Sequence, residues 1–206
     1  MIHPIFIPAS TKDELAKQIN SAAAGVDFSR YGYEPNYTPA LVERLRGFQY
    51  EDAHILVTID GAAMVSNKKQ SAESWSGADF SVVTTISSGE EEIIKGTLIQ
   101  SKLGTIERLR SSDRTELERL KEQIRDMKAL TRHPKVLEIS TKSGDVPTIV
   151  SGEGILNNRD LRHYKLGDWV ARRVLPTFDG DKNRDLVRDI LDANLSGLRI
   201  NARRNA

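Results

Sequence analysis

The chain contains no cysteine, which removes disulfide frameworks, thiolate zinc sites, iron–sulfur clusters and a thiol nucleophile together. No apolar run approaches the roughly 18 residues a membrane span requires. The opening Met1-Ile-His-Pro-Ile-Phe-Ile-Pro8 is too short and too uncharged for a signal peptide, and the expectation is a cytoplasmic protein with no membrane association. Charge of one sign is also missing, because 30 Lys and Arg face 29 Asp and Glu for a net +1. A globally basic nucleic-acid-binding domain is thereby excluded, and any such role must rest on a local site. There is no internal repeat and no low-complexity tract. What remains is 206 residues, 38% hydrophobic and 29% charged, the composition of one ordinary globular domain with a single substantial core.

Hydrophobic periodicity orders that domain. Thr11 followed by Glu14 resembles a capping box and opens a helix over Thr11–Asn20. Thr38-Pro39 reads as cap and first helical residue of a second helix, Ala40–Arg46, ended by Gly47. Ala53–Asp60 is a β-branched strand, with Asp60-Gly61 as a turn. Ala78–Ile86 and Glu92–Lys102 form a hairpin around Ser87–Glu91. Leu117, Leu120, Ile124, Met127 and Leu130 recur at helical spacing within a long polar helix over Ser112–Leu130. His133-Pro134 stops it, Lys135–Ser140 is a strand, Val146–Val150 another, and Lys182–Leu195 a last helix. This order predicts an α/β fold, a mixed central sheet flanked by helices. The expected core spans about 38–150, with an N-terminal extension 1–37 and a basic, helical C-terminal extension 152–206.

The chemistry concentrates between Glu73 and Lys102. Strand side chains alternate, so Gln100 and Lys102 share one face while Ser101 points away. Hairpin pairing brings that face beside Asp79, which follows the small residues Ser76-Gly77-Ala78. A carboxylate, an amide oxygen and an ammonium then converge on one spot. Hard dications such as Mg²⁺ take oxygen ligands, one or two of them carboxylates. Asp79, the Gln100 side-chain carbonyl and the Ser101 backbone carbonyl are candidate donors. Lys102 would orient an attacking water or bear charge developing on a phosphate.

These residues resemble the PD-(D/E)XK, or restriction-endonuclease-like, nuclease superfamily. The resemblance is carried by Gly77-Ala-Asp-Phe80 and Leu98-Ile-Gln-Ser-Lys102, a Q-X-K variant of the second motif, and extends through the helix Leu117–Thr131 with its Gln and Met. It covers roughly residues 40–140. It implies a restriction-endonuclease-like core and a Mg²⁺- or Mn²⁺-dependent endonuclease acting on DNA, with Asp79 and Gln100 on the metal and Lys102 assisting the water. Free-standing domains of this kind commonly serve restriction, repair or antiviral defence. Gln100 replaces the usual acid, which leaves the site one negative charge short, and either Glu43 or Glu73 is expected to compensate. A homodimer would match the twofold symmetry of a duplex.

The second reading is a nuclease-fold protein that binds nucleic acid or a protein partner without cutting; a third is a purely structural interaction protein, in which Asp79 merely caps a turn and Lys102 is solvated. His3, His54, His133 and His163 do not occur at metal-ligand spacing and read as structural or surface residues. The segment from Arg159 onward holds 11 Lys and Arg against 7 Asp, with Tyr164 and Trp169 interleaved. It reads either as a phosphate-tracking, base-stacking surface or as a mixed-charge surface over core aromatics.

Overall fold

A computed structural model describes residues 7–26, 34–62, 76–192 and 196–205. Its centre is an eight-stranded mixed sheet in the order β1-β2-β8-β3-β4-β5-β6-β7. The strands are β1 (Phe48–Glu51), β2 (Ile55–Ala62), β3 (Phe80–Ser88), β4 (Glu91–Leu103), β5 (Lys135–Ile139), β6 (Thr148–Ser151), β7 (Tyr164–Lys165) and β8 (Ser196–Arg204). The pairs β3/β8 and β4/β5 are parallel and the others antiparallel. The helices are α1 (Ala9–Ala24), α2 (Glu34–Leu45), α3 (Ile106–Ser112), α4 (Arg114–Leu130), α5 (Gly152–Leu156), α6 (Leu166–Trp169, continued by a π-helical turn Val170–Val174) and α7 (Arg184–Asp192). None is long and apolar enough to cross a membrane. The α/β class and the helix-flanked mixed sheet agree with the sequence reading.

Alternation along the strands divides the core in two. Ile99, Leu137, Ile139 and Phe80 share one cluster with α1, α2 and α6, while Leu98, Val136 and Val83 share the other with α3, α4 and α7. β4 and β5 are buried throughout most of their length, as parallel neighbours covered on both faces must be. Their crossover through α3 and α4 brings Gln100 level with Val136 and Lys102 level with Glu138.

Several local expectations give way to tertiary bonds. α1 starts at Ala9 without a side-chain cap, because the Thr11 hydroxyl donates to Asp52 at 2.6 Å instead of closing a capping box. α2 starts at Glu34, four residues before Thr38, and Pro39 lies inside it; the Thr38 hydroxyl bonds that of Ser101 at 2.9 Å. Asp60 and Gly61 continue β2 rather than turning, paired with Arg199 and Leu198 of β8. The largest correction concerns residues 152–206, which are not an appendage: β8 enters the sheet between β2 and β3. Its Leu198, Ile200 and Ala202 are buried in the core, whereas Arg199, Asn201 and Arg203 are exposed.

Candidate functional site

Asp79 sits just ahead of β3, held by its backbone N–H to Ile99 O at 3.0 Å. The close approach of α4 sets its position. Gly77 adopts φ +66°, and a Cβ there would stand 2.5 Å from the Gln123 carbonyl oxygen, so the turn requires glycine both for its backbone conformation and for space. Asp79 Oδ2 then accepts two hydrogen bonds, from Gln100 Nε2 at 2.6 Å and from the Ser101 N–H at 2.7 Å. Gln100 Nε2 also faces the Ser101 carbonyl at 3.3 Å. Asp79, Gln100 and Ser101 are thus joined directly, and Lys102 follows on Gln100's face of β4.

Gln100 and Lys102 are only 2% and 5% exposed. The Lys102 ammonium pairs with Glu116 Oε1 of α4 at 2.7 Å, and Glu116 lies over the first turn of a helix whose cap, Asp113, accepts from its backbone N–H at 3.0 Å. Two buried oxygens in this region lack a hydrogen-bond partner, Gln100 Oε1 and Gln123 Oε1. Gln123 is seven residues past Glu116, two turns along the same stripe of α4. A buried acceptor without a donor costs about 1–3 kcal/mol.

The structure does not bring Glu43 to this group. Ser101 points to the face that α2 covers, opposite to Gln100 and Lys102, and α2 runs away from β4 after Thr38. Val42 and Arg46 already lie against Gly61 of β2, three strand spacings or about 14 Å away. Glu43 is solvent-exposed and pairs with Arg46 at 3.1 Å. Glu73 lies outside the described residues. The acid beside Lys102 is Glu116, which sequence reasoning missed. Its signal was there in principle, as an acid in the first turn of the helix that follows the Q-X-K strand.

A second polar group lies on the same face, next along the sheet. Glu138 is 3% exposed and accepts from Ile106 N at 2.8 Å, Thr148 Oγ1 at 2.6 Å and His163 Nδ1 at 2.7 Å. The other ring nitrogen of His163 faces Glu107 Oε1 at 3.2 Å. Burial opposes protonation of His163, but the bond to Glu138 and the charges of Glu138 and Glu107 outweigh it and lift the imidazole above 6.5. Glu107, Glu138 and His163 are close enough to hold a metal ion together, so His163 is not the isolated residue that its sequence spacing implied.

Of the aromatic residues of the C-terminal segment, Trp169 belongs to the core, Tyr164 is half-buried against it and Phe178 is 60% exposed. Trp169 is buried, with its Nε1 donating to Asp179 at 3.0 Å, and the guanidinium groups of Arg162 and Arg173 stand 4.9 and 5.9 Å from the Tyr164 ring centroid. Trp169 therefore offers no face to a base. No protein-family model matches the chain, and no curated protein or solved structure matches it at a significant level.

Proposed function

We propose that the chain is a divalent-cation-dependent endonuclease, restriction-endonuclease-like in its core, that hydrolyses phosphodiester bonds of DNA and serves in restriction or antiviral defence. The observation that carries this reading is the placement of the Gln100 amide. Its NH₂ bridges the Asp79 carboxylate and the Ser101 carbonyl, two oxygens suited to a hard dication, while its own oxygen is buried without a donor. The amide nitrogen supplies in neutral form the positive edge that those oxygens attract. A half-turn of the amide would exchange donor for acceptor and add Oε1 to the donor set, so Asp79, Ser101 and Gln100 fit Mg²⁺ or Mn²⁺.

A cation held there would polarise the scissile phosphate and lower the pKa of a bound water. The chain's own contribution is the rest of the geometry. Lys102, drawn out of water and steadied by Glu116, presents a preorganised ammonium two residues along the same face, where its field is little screened. It orients the attacking water or bears charge on the phosphate. Glu116 restores the negative charge that Gln100 omits, but spends it on Lys102 rather than on the donor set, and weaker metal retention than in an acid-bearing site follows. DNA as substrate rests on the resemblance of the Gly-Ala-Asp-Phe and Gln-Ser-Lys motifs alone.

The test is cleavage of plasmid, linear DNA and RNA with Mg²⁺, Mn²⁺ or EDTA. Wild type is expected to cut DNA only with a cation, Asp79→Ala and Lys102→Ala to lose about 10²–10³-fold or more, and Gln100→Glu to bind Mn²⁺ more tightly. Absence of cutting on every substrate with both cations would sink the enzymatic reading and leave the fold as a binding module for nucleic acid or a protein partner.

A further inference from the structure

The Glu107–Glu138–His163 group is unused by the proposed nuclease site, and its geometry is unequal about the imidazole. Nδ1 stands 2.7 Å from buried Glu138, the length of a charge-assisted hydrogen bond, whereas Nε2 stands 3.2 Å from Glu107. Glu138 is itself locked by Ile106 N and Thr148 Oγ1, so it cannot rotate away from the ring. It fixes the tautomer with the proton on Nδ1 and the Nε2 lone pair directed at a carboxylate. Two acceptors face to face need a positive group between them, a second proton on Nε2 or a metal ion.

We propose that His163 Nε2 and Glu107 ligate a first-row transition-metal dication of the Zn²⁺ or Mn²⁺ class, with Glu138 orienting the imidazole. Ligand atoms about 2.1 Å from one metal lie about 3.0 Å apart at a right angle and about 3.4 Å apart at the tetrahedral angle, and the observed 3.2 Å falls between. A carboxylate on the far ring nitrogen is the usual support of a metal-bound histidine, because it sets the tautomer and raises ligand basicity. The nitrogen donor selects against Mg²⁺ and Ca²⁺, which prefer oxygen throughout. Side-chain exposures of 33% for His163 and 52% for Glu107 leave the remaining coordination positions open to water.

The three residues come from β5, the first turn of α3 and the stretch ahead of β7. Glu138 is level with Lys102 on the neighbouring parallel strand, so the cation would sit at the carboxyl ends of β4 and β5, where open α/β sheets place ligands. It would tie α3 to the stretch before β7, which Arg110 already joins through a hydrogen bond to Arg159 O at 3.1 Å.

Calorimetric titration of the metal-free full chain with Zn²⁺ alone tests the site, with Asp79→Ala as background so that the Asp79 group does not contribute. One Zn²⁺ should bind, with affinity reduced at least tenfold in Glu107→Gln and in His163→Gln, and about 10–100-fold in Glu138→Gln. Long-range ¹H–¹⁵N spectra of the unsubstituted chain guard against a variant that misfolds: Zn²⁺ should shift His163 Nε2 and leave Nδ1 protonated. Zn²⁺ binding that is absent, or equal in wild type and Glu107→Gln, with His163 nitrogens unmoved at saturating Zn²⁺, would show that a proton rather than a metal bridges the pair. Loss of DNA cleavage plays no part in either outcome.

Discussion

Strand β4 buries two lysines seven residues apart, and alternation sends them to opposite faces of the sheet. Lys95 is 1% exposed and Lys102 is 5% exposed, yet the surroundings differ in kind. The Lys95 ammonium donates to the backbone carbonyls of Val174 and Asp179. Around it Asp179 gathers Lys135 at 3.1 Å, Arg173 at 3.4 Å and the Trp169 indole at 3.0 Å. Every polar partner there is accounted for. Lys102 instead meets a half-buried glutamate and shares its face with a glutamine that is bonded to Asp79 and whose oxygen is orphaned. Burial of a lysine is therefore no sign of chemistry in itself. A satisfied, sealed ammonium closes a helix end; one that shares a face with an unfilled acceptor is a candidate for meeting a ligand.

The pKa of Lys95 sharpens the point. Burial pushes it down from 10.5 to about 7, with the Asp179 charge partly opposing and Lys182 adding to the fall. Perturbation of that size marks functional groups only when a substrate can reach them. Here the π-helical turn Val170–Val174 and Gly180 close over the side chain.

Breaking the sealed cluster should have the largest effect. Asp179→Ala leaves Lys135, Arg173 and the Trp169 N–H facing a void, and a loss of about 3–5 kcal/mol in urea-induced unfolding is expected. Asp179 is ionised although burial alone would raise its pKa, because Lys135 and Arg173 outweigh that cost; its contribution is present above pH 3.8 and fades as pH falls through the lower folded value. Next in size, Lys102→Met should lower cleavage about 10²–10³-fold while Lys95→Met leaves kcat within about threefold at a temperature where both are folded, a split of about 2–4 kcal/mol in transition-state energy. Equal losses in the two variants would erase the distinction drawn between the faces.

A smaller effect is the pH dependence of stability. In the unfolded chain Lys95 keeps its proton up to 10.5, in the folded chain only to about 7. The unfolded state thus binds more protons between those values, and stability rises with pH across that window. Below pH 7 the full cost of the buried charge is present. Lys95→Met should flatten the slope measured by denaturant titration between about pH 7 and pH 10; an unchanged slope would mean that the two carbonyls hold the ammonium charged. Smallest, Thr38→Val removes the hydrogen bond between α2 and Ser101 and should cost about 1 kcal/mol, without changing Mn²⁺ binding.

Much of this was legible in the residues. The hairpin, the helix carrying Leu117 to Met127 and the strand at Lys135 follow from periods of 2 and 3.6 that burial imposes locally. The shared face of Gln100 and Lys102 needs nothing but strand geometry, and the approach of Gln100 to Asp79 needs nothing but hairpin closure. Other elements were hidden by ambiguity. Leu198, Ile200 and Ala202 alternate as a strand should, but arginines and asparagine between them read equally as a basic tail. Thr38-Pro39 carries the chemistry of a helix start, and only the hydroxyl of Ser101, 63 residues away, draws Thr38 into the helix body.

By itself, then, the sequence determined the α/β class, the main strands and helices, the meeting of Asp79 with Gln100 and the shared face of Gln100 and Lys102, because each depends on neighbours a few residues apart or on one closed turn. The tertiary structure decided which acid meets Lys102, that β8 slots between β2 and β3, and that His163 joins Glu107 and Glu138 from 56 and 25 residues away. Such choices rest on how whole layers pack. Glu43 and Glu116 have the same carboxylate and differ in the face onto which packing carries them.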